Sequence, residues 1–346
     1  MIAAVLIGHG GPDQLVIREV AEPIPGPGEV RLEVRAAAVN NTDIWTREGA
    51  YGPSPDEPTG WLGVPIECPR IQGADVVGRV SDTGDGVDRA LIGRRVLVDP
   101  AAYDGSGPDA SPTSILGSEY DGGFAEHLVV PASQVHDVTD SPLDDAELAA
   151  LPIAAGTAMG MLDRAEVVSG ETVVVTGASG GVGLAAVQLA AALGARVIAV
   201  SSAGRDEVLT EAGASAVIDR TRGDVHRQIA AGVGPVDAVI DVVGGDDFGA
   251  WIEVLHRRGR IVVAGAIAGP RVTIDLRALY LEQRRILGST MHTPRQFARL
   301  VEMARVGGVR PVIADRLPLT EIHAAQRLLR SPDTVGKIVL LPLARS

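Results

Sequence analysis

Four glycines in the stretch Gly177–Gly183 give this sequence its clearest chemical signal. They follow a β-branched run, Thr172–Thr176, that is typical of a strand buried on both faces, and they precede a helical pattern that ends near Leu193. A pyrophosphate needs backbone N–H donors without side chains in the way, and the positive end of a helix dipole favours its charge. A strand, a glycine turn and a helix in this order predict a dinucleotide site. The alternative is a turn with a purely structural role.

The residues that follow the next strand, Arg196–Val200, indicate which dinucleotide binds. A site for NAD usually has Asp or Glu here, roughly 20 residues after the glycines, to bind the ribose 2′-hydroxyl. This sequence has Ser201, Ser202 and Arg205 instead. Two hydroxyls and a guanidinium suit a 2′-phosphate, which a carboxylate would repel, so we predict NADPH as the cofactor. The alternative is that Ser202–Arg205 only begins a solvent-exposed helix.

The pattern of elements around this motif divides the chain into two parts. The N-terminal part has short strand patterns separated by turn signals, which is typical of a compact β barrel or sandwich. From Asp144 the pattern changes to two helices, followed by strictly alternating strands and helices up to about Ser289, which predicts a parallel sheet with crossover helices. Two long loops, Gly52–Arg70 and Pro100–Gly123, interrupt the first part, and loops of this length are usually functional or disordered. The tail after Pro294 resembles the first part, and we expect it to return there.

Composition limits the classes of protein to which the chain can belong. With 346 residues it is longer than one hydrophobic core usually supports, and 46% hydrophobic with 22% charged residues is typical of a globular protein. A net charge of −13 argues against a nucleic-acid partner. The N-terminal apolar run is too short for an export signal, no membrane span is visible, and the single cysteine, Cys68, cannot form an intramolecular disulfide. We therefore expect a cytoplasmic protein without a nucleic-acid or membrane partner.

Several stretches, found in one order along nearly the whole chain, resemble a single family. They are Pro25–Asp43, Gly73–Val80, Gly122–Val130, Thr176–Gly183, Asp241–Gly244, Gly259–Gly265 and Gly336–Leu340. Together they resemble the medium-chain dehydrogenase/reductases, and within these the zinc-independent branch of zeta-crystallin-like quinone oxidoreductases and enoyl reductases. The resemblance implies an α/β protein with a GroES-like β-rich catalytic domain, residues 1–128 and 296–346, and a Rossmann domain with a doubly wound parallel sheet, residues 129–295. It also implies that the cofactor binds in a cleft between the two domains.

Zinc separates two branches of this family. Its alcohol dehydrogenases bind a catalytic zinc through Cys, His and a second Cys or Asp, and the metal polarises the alcohol oxygen. By alignment with the family these ligand positions fall at Asn40, Ala74 and Ala154. The segment that would hold a structural zinc, Pro100–Gly123, has no cysteine. Because asparagine and alanine cannot hold zinc, the resemblance implies an enzyme without a metal.

The same resemblance implies a set of catalytic residues. The family signature is present here as Asn40, Asp43, Arg47, Gly49 and Tyr51, and in related enzymes its asparagine, acid and tyrosine line the nicotinamide cleft. Asn40 and Tyr51 are the candidates for polarising a substrate carbonyl, and Tyr51 or a water is the candidate proton source. The alternative for Asn40 and Asp43 is a buried hydrogen-bonded pair that holds the loop, with Asp43 as an orienting residue.

The loop after Tyr51 is longer than in simple quinone oxidoreductases. Its Trp61, together with Trp45, could form walls for a planar substrate, or both could only anchor the loop. The remaining predicted contacts are to the cofactor, and they are Thr157, Gly177, Ser179, Gly180, Gly181, Val182, Gly183, Ser201, Ser202, Arg205, Arg220, Gly244, Gly265, Ala266 and Ile267. Of these, the resemblance places Arg220 beside the adenine, where it could stack on the ring or pair with a phosphate, and residues 265–267 beside the nicotinamide carboxamide.

A metal-free site of this kind favours hydride addition to a carbon that conjugation has already made electrophilic. We therefore predict an NADPH-dependent reductase of small-molecule enones, enoyl compounds or quinones, and the long loop favours enoyl reduction slightly. The alternatives are a quinone reductase of broad specificity, a step in a biosynthetic pathway on an enone made by a partner enzyme, and an NADPH-binding protein with a sensing or structural role and little turnover. The family also implies a homodimer, paired through the apolar segment Arg285–Thr290 at a sheet edge.

Overall fold

The computed structural model describes residues 1–54, 56–61 and 63–342. Pro55 and Leu62 of the long loop predicted over Gly52–Arg70, and residues 343–346 at the end of the first predicted domain, lie outside the described residues. Within the described part, no helix has the length and apolar character needed to cross a bilayer.

The regular elements are eighteen strands and ten α-helices within the described residues. The strands are β1 (Ile2–Leu6), β2 (Leu15–Glu19), β3 (Glu29–Ala38), β4 (Arg70–Ile71), β5 (Asp75–Thr83), β6 (Arg95–Val98), β7 (Ala101–Tyr103), β8 (Pro112–Ile115), β9 (His127–Pro131), β10 (Val135–Asp137), β11 (Thr172–Val175), β12 (Arg196–Ser201), β13 (Ala216–Asp219), β14 (Val236–Asp241), β15 (Leu255–Val263), β16 (Arg285–Gly288), β17 (Ile313–Pro318) and β18 (Lys337–Leu341). The helices are α1 (Asn41–Glu48), α2 (Asp145–Ala149), α3 (Pro152–Arg164), α4 (Gly181–Ala192), α5 (Asp206–Glu211), α6 (Val225–Gly232), α7 (Phe248–Glu253), α8 (Leu276–Tyr280), α9 (Pro294–Val306) and α10 (Ile322–Arg330).

The chain folds as two units, and their limits differ from the predicted domain boundaries. Unit 1 comprises Met1–Ile153 and Thr293–Ser346, and unit 2 comprises Ala154–His292. A boundary after residue 128 lies too early because it would cut through β9, every residue of which pairs with β3. A boundary after residue 295 would cut through the first turn of α9. Residues 129–153 belong to unit 1, since β10 pairs with β6 and α2 packs on β3 and β5.

Unit 1 is built around its longest strand, β3. Val30, Leu32 and Val34 alternate along this strand toward a core that Phe124 and Ile338 also enter. The strand pairs antiparallel with β5, β9 and β18, in a sheet of order β10-β6-β5-β3-β18-β17 with β9 also on β3. A second sheet has the order β2-β1-β4, and the β7–β8 hairpin lies within the second predicted loop. Because only Val39 and Asn40 separate the end of β3 from the start of α1, this strand fixes where α1 starts.

Unit 2 has one parallel sheet, of order β13-β12-β11-β14-β15-β16. The parallel sheet with crossover helices is confirmed. After β11 the chain builds outward through β12 and β13, and then it returns to the other side of β11 with β14. The carboxyl ends of β11 and β14 therefore form the switch point at which open α/β sheets bind their ligands. The glycine turn that follows β11 lies at this place in the sheet.

Candidate active site

Helix α1 places the predicted catalytic residues of unit 1. Its cap, Asn40, has an extended backbone, and the backbone N–H of Asn40 donates to Asp43 Oδ2 over 2.7 Å. The N–H of Asp43 donates back to the carbonyl oxygen of Asn40 over 3.2 Å. The helix ends at Gly49, whose φ of 68° is the left-handed conformation that glycine adopts without strain. The hydrogen bonds between Asn40 and Asp43 thus fix the start of α1, and Gly49 ends the helix just before Tyr51.

The Asn40 side chain belongs to a buried polar cluster with Asp75 and Lys337. The ammonium of Lys337 donates to Asn40 Oδ1 over 2.5 Å and to Asp75 Oδ2 over 2.9 Å. The Asn40 amide donates to Asp75 Oδ2 over 2.9 Å and to the Ala38 carbonyl over 3.3 Å. All three side chains are at most 7% exposed. Since an amide has only two hydrogens, Asn40 has none left for a substrate carbonyl, and we withdraw it as a candidate for polarising that group.

Asp43 is 3% exposed, next to the same cluster. Desolvation by burial is the largest effect on its carboxyl group, and with the nearby charge of Asp75 it raises the pKa of Asp43 to about 7. Hydrogen bonds from backbone N–H groups and the charge of Lys337 oppose this rise. The Gln72 amide donates to the Asp43 carbonyl oxygen over 2.8 Å. These contacts fit an orienting role for Asp43.

A pair of hydroxyls lies on α1 and on the loop that follows it. The Tyr51 hydroxyl donates to Thr42 Oγ1 over 2.8 Å, and the ring of Trp45 meets the Tyr51 ring edge to face at a centroid distance of 5.8 Å. All three side chains are half-buried. Burial raises the pKa of Tyr51 to about 12, with a smaller contribution from the charge of Asp43, so the phenol keeps its proton at neutral pH. The structure therefore brings together Trp45 and Tyr51, which were predicted, and Thr42, which was not.

Two other residues of this region have different surroundings. Trp61 is half-buried in a turn closed by the N–H of Gly63 and the carbonyl of Gly60, 3.0 Å apart. Arg47, the arginine of the signature, is 2% exposed and donates to the Gly10 carbonyl over 3.0 Å. Its guanidinium thus holds the N-terminal loop against α1, which is a structural role.

The glycine turn of unit 2 has the geometry that a phosphate needs. Gly177 has a φ of 55°, and the N–H of Gly180 closes the turn on the Gly177 carbonyl over 3.0 Å. A Cβ atom on Gly183 would lie 2.2 Å from the Gly177 carbonyl oxygen, so only glycine fits there. In the first turn of α4 the N–H groups of Gly181, Val182 and Gly183 have no partner within the helix, and the dipole adds positive charge. Ser179 is half-buried in the same turn.

The carboxyl end of β12 carries the residues predicted for the 2′-phosphate. Arg220 Nε donates to Ser202 Oγ over 3.1 Å, so these two predicted residues are neighbours. Arg205 is 7% exposed at the start of α5. Ser201 is 2% exposed, and within the described residues its hydroxyl has no hydrogen-bond partner. A buried hydroxyl without a partner at this edge is an observation that favours a polar ligand.

The carboxyl ends of β14 and β15 bring together the other predicted cofactor residues. Gly244 has a φ of 62° and its N–H donates to Asp241 Oδ2 over 3.0 Å. A Cβ on Gly244 would lie 3.3 Å from the Cα of Ala266, so Gly244 and the segment of Gly265, Ala266 and Ile267 are in close contact. Ile267 is 61% exposed, whereas Thr157 is 7% exposed on α3.

The sequence prediction missed several polar residues that the fold places at these sites. Lys337 and Asp75 lie within two of the stretches that carried the resemblance, and Lys337 is the only lysine of the 346-residue sequence. A lone lysine in a chain otherwise rich in arginine is a signal that could have marked it. In unit 2, the Thr176 hydroxyl donates to Asp241 Oδ1 over 2.6 Å and joins the turns after β11 and β14. Ser289, after β16, is 7% exposed, with a hydroxyl that has no partner in the described part of the chain.

Comparison with known proteins identifies the family. The family descriptions "Alcohol dehydrogenase GroES-like domain" and "Zinc-binding dehydrogenase" match residues 26–140 and 181–305. An acryloyl-coenzyme A reductase of Metallosphaera sedula is 32% identical over 350 residues, which cover 98% of this chain and 99% of that protein. The chain belongs to the medium-chain dehydrogenase/reductase superfamily. Within it the chain lies in the enoyl reductase and quinone oxidoreductase branch, which confirms the predicted family and fold class.

Other members of the superfamily agree over the full length. Human quinone oxidoreductase is 28% identical over 357 residues, covering 99% of this chain and 98% of that protein. A solved structure from Sinorhizobium meliloti 1021, provisionally assigned as an alcohol dehydrogenase, has 42% identity and a TM-score of 0.93, covering 99% of this chain and 96% of that one. A crotonyl-CoA carboxylase/reductase in complex with NADP has 27% identity and a TM-score of 0.84, covering 98% of this chain and 94% of that one. As a medium-chain dehydrogenase/reductase, the chain is an oxidoreductase that uses a nicotinamide cofactor.

Many medium-chain dehydrogenase/reductases hold zinc, but the residues at the aligned positions do not fit a metal here. Asn40 Oδ1 already accepts from the ammonium of Lys337, and Ala74 and Ala154 carry only methyl groups. In the part of the chain that the structure describes, no group of three or more His, Cys, Asp or Glu side chains is arranged to hold an ion. We therefore derive no catalytic step through a metal.

Proposed function

We propose that this protein uses NADPH, without zinc, to reduce a C=C bond conjugated to a carbonyl group in a small-molecule enone or enoyl substrate. The observation that carries the proposal is the hydroxyl pair of Tyr51 and Thr42, which lies beside the ring of Trp45. The cation of the neighbouring buried cluster, Lys337, is already hydrogen-bonded to Asp75 and Asn40. Hydroxyls can donate to a developing oxyanion, but they activate a carbonyl far less than a metal does. A substrate that is already electrophilic through conjugation suits such a site.

The cofactor would be held by unit 2. The N–H groups at the start of α4 suit the pyrophosphate, and Gly244 with residues 265–267 suits the nicotinamide end. When bound, reduced nicotinamide supplies a hydride. The buried hydroxyl of Ser201, without a partner among the described residues, supports a ligand at this edge.

Ser202 and Arg220 support NADPH over NADH because a guanidinium and a hydroxyl 3.1 Å apart can share one 2′-phosphate. Arg220→Ala should weaken NADPH binding about tenfold or more, since a charge-assisted hydrogen bond contributes roughly 1.5–3 kcal/mol. NADH binding should hardly change. Arg222→Ala is the matched control, because that exposed arginine pairs with Asp219. Fluorescence titration of both nucleotides measures the effect, and equal losses for NADPH and NADH would contradict the assignment.

The substrate class is tested by NADPH oxidation with a panel of electrophiles. The panel holds a short enone, a bulky aryl enone, acryloyl-CoA with its uncharged N-acetylcysteamine analogue, and two quinones. Turnover of the enones or thioesters above the quinones supports the proposal. Quinone reduction is the second candidate, favoured by the likeness to human quinone oxidoreductase and by the flat ring of Trp45. Binding of NADPH without any turnover would favour a sensing or structural role instead.

Independence from zinc is tested on the purified protein by metal analysis and by assay after treatment with a chelator. We expect less than stoichiometric zinc and unchanged turnover. Loss of activity on chelation, with recovery on adding zinc, would contradict the metal-free proposal. The basis of the expectation is that Lys337, rather than a metal, contacts the oxygen of Asn40.

Homodimer formation and a cytoplasmic location are the remaining parts of the proposal. Strand β16 lies at the edge of its sheet, and Leu276, Tyr280 and Leu281 nearby are each at least 62% exposed. An exposed apolar group beside a free sheet edge suits pairing with a second copy. Light scattering should show a dimer at micromolar concentration, and Leu281→Arg should yield a monomer. Fractionation of the cells that make the protein tests the location, for which a single cysteine, Cys68, is the supporting feature.

A further inference from the structure

The turn after β8 carries Glu119 and packs beside the end of α1. A Cβ atom on Gly60 would lie 3.0 Å from Ser118 Oγ, so Gly60 and the residue before Glu119 are in close contact. The N–H of Thr59, next to Gly60, donates to the carbonyl oxygen of Gly49 at the end of α1 over 3.2 Å. This set of contacts fixes the turn beside the segment that leads to the hydroxyl pair of Thr42 and Tyr51.

The same turn is also tied to the start of α1. Gly117 approaches Gly73 so closely that a Cβ atom on Gly117 would lie 2.5 Å from the backbone nitrogen of Gly73. The residue before Gly73 is Gln72, whose side-chain amide donates to the carbonyl oxygen of Asp43 over 2.8 Å. The Glu119 turn is thus held against α1 from two directions within unit 1.

The charge of Glu119 reaches the hydroxyl pair. Burial is the main cause of the raised pKa of Tyr51, and the charges of Asp43 and Glu119 add to it. Such an effect requires proximity, because solvent and salt screen exposed charges beyond about 10 Å. Both charged groups that act on the phenol are carboxyl groups, so a ligand at the hydroxyl pair lies in a negative field.

The Glu119 carboxylate is held in place by neutral groups. Its Oε2 accepts from the N–H of Ile115 over 3.0 Å, and its Oε1 accepts from the hydroxyl of Ser118 over 2.9 Å. Within the described residues, neither oxygen contacts a cation. The side chain is half-buried, so solvent screens its charge only in part.

Three cations on or near α1 cannot balance this field, because each is already paired with a carboxylate. The pairs are Arg47 with Glu48 at 3.3 Å, Arg70 with Asp121 at 3.1 Å, and Lys337 with Asp75 at 2.9 Å. A substrate carboxylate beside the hydroxyl pair would therefore meet two carboxyl groups and lose its own water shell without gaining a counter-ion.

We propose that Glu119 is a specificity-determining residue that excludes substrates with a negative charge next to the conjugated double bond. This rests on the proposed enone reduction and narrows its substrate class. Neutral unsaturated ketones, aldehydes, esters and thioesters enter the site, and free unsaturated acids do not. The selection works by repelling the wrong substrate rather than by attracting the right one. The enolate formed by hydride addition tolerates the field better, since resonance spreads its charge, whereas a carboxylate is fully charged from the start.

The test compares two substrates of nearly the same shape, 4-oxopent-2-enoate and 4-oxopent-2-enamide, in NADPH oxidation assays. The measured quantity is kcat/KM for the acid divided by kcat/KM for the amide. Comparing this ratio between variants cancels the intrinsic reactivity of the two compounds. Glu119→Gln should raise the ratio about tenfold, since like charges several ångströms apart in a partly buried site repel by at least that factor. High salt should raise the ratio in the wild type as well.

Glutamine is a conservative replacement at this position. Its oxygen can accept from the Ile115 N–H, and its amide can donate to the Ser118 hydroxyl oxygen, so the turn should keep its conformation. Glu57→Gln is the matched control, because it removes the same charge from an exposed position on the loop after Tyr51. The ratio for this control should equal that of the wild type.

A purely structural role for Glu119 predicts a different result. Glu119→Gln would then lower kcat/KM for both substrates together and lower the melting temperature, with the ratio unchanged, and this outcome would overturn the proposal. A wild type that reduces the acid as efficiently as the amide would overturn it too.

Binding is measured separately, so that failure of the proposed function can be recognised. The saturated analogues 4-oxopentanoate and 4-oxopentanamide have no C=C bond to reduce, and quenching of tryptophan fluorescence in a Trp251→Phe background reports their affinities, since Trp45 contacts the ring of Tyr51. The amide should bind more tightly, and Glu119→Gln should narrow the difference. Charge discrimination in binding without turnover of either enone overturns enone reduction alone. Turnover of both enones without discrimination in either assay overturns the role of Glu119 alone.

Discussion

Asp43 offers a direct test of how a buried carboxyl group with a raised pKa affects the stability of unit 1. Its carboxyl has a pKa raised from 3.8 to about 7 in the folded protein. Between these two values the folded chain holds a proton that the unfolded chain has lost, so the stability of the fold falls as the pH rises through this window and levels off above about pH 7. The full shift corresponds to about 4 kcal/mol, since one pKa unit corresponds to about 1.4 kcal/mol.

Asp43→Asn removes this ionisation while keeping an oxygen that can accept from the Asn40 N–H. Below about pH 4 the variant and the wild type should have similar free energies of unfolding, because Asp43 is then largely protonated in both the folded and the unfolded state. Between about pH 5 and pH 8 the wild type should lose roughly 2–3 kcal/mol relative to the variant, the share of the shift that falls in this range.

The measurement is urea unfolding by tryptophan fluorescence at several pH values. Trp45 and Trp61 lie in unit 1 and Trp251 lies in unit 2, so a Trp251→Phe background confines the signal to unit 1. Asp137→Asn in the same background is the control. Hydrogen bonds from Thr139 lower the pKa of Asp137 despite partial burial, so its variant should lose stability relative to the wild type as the pH rises through the acid range.

A second readout follows from the single lysine. In protein labelled with ¹⁵N-lysine, the only Nζ signal comes from Lys337, which lies in the cluster beside Asp43. This signal should shift with a midpoint near pH 7 in the wild type and stay flat in Asp43→Asn. Parallel stability curves for the two proteins from pH 5 to pH 8, with no such titration, would refute the reasoning about Asp43.

Three further substitutions test the packing around the two sites. Gly183→Ala places a Cβ 2.2 Å from a backbone carbonyl of the glycine turn, so NADPH affinity in a fluorescence titration should fall at least about tenfold. Arg260→Met leaves Glu171 without its 2.6 and 2.7 Å hydrogen bonds and should cost about 3 kcal/mol in thermal unfolding. Lys337→Met leaves Asp75 buried without a cation, and chemical unfolding should show a loss of about 3–5 kcal/mol.

The sequence was informative where local chemistry dictates structure. The glycines from Gly177 to Gly183 predicted the turn and the start of α4, because few residue types allow the close approach found there. Strict alternation of strand and helix patterns predicted the parallel sheet of unit 2.

Local sequence patterns could not predict contacts between residues that lie far apart in the chain. The predicted boundary after residue 128 fell inside β9 because nothing in that strand indicates that it pairs with β3, almost 100 residues earlier. The partner of Asn40 is Lys337, 297 positions away, and only the folded sheet brings the two together. The prediction therefore assigned a donor role to Asn40, whose hydrogens are used inside the cluster.

The buried cluster and the hydroxyl pair together explain why the substrate should be conjugated. The positive charge of Lys337 is held in the interior by Asp75 and Asn40, so it orients α1 rather than stabilising an oxyanion directly. What α1 and the loop that follows it offer to a ligand is the pair of neutral hydroxyls of Thr42 and Tyr51. Neutral donors stabilise a full alkoxide poorly but suffice for an enolate or a hydroquinone anion, in which resonance spreads the charge. Such a site favours reduction of activated double bonds over the oxidation of simple alcohols, and the interior lysine is the physical reason.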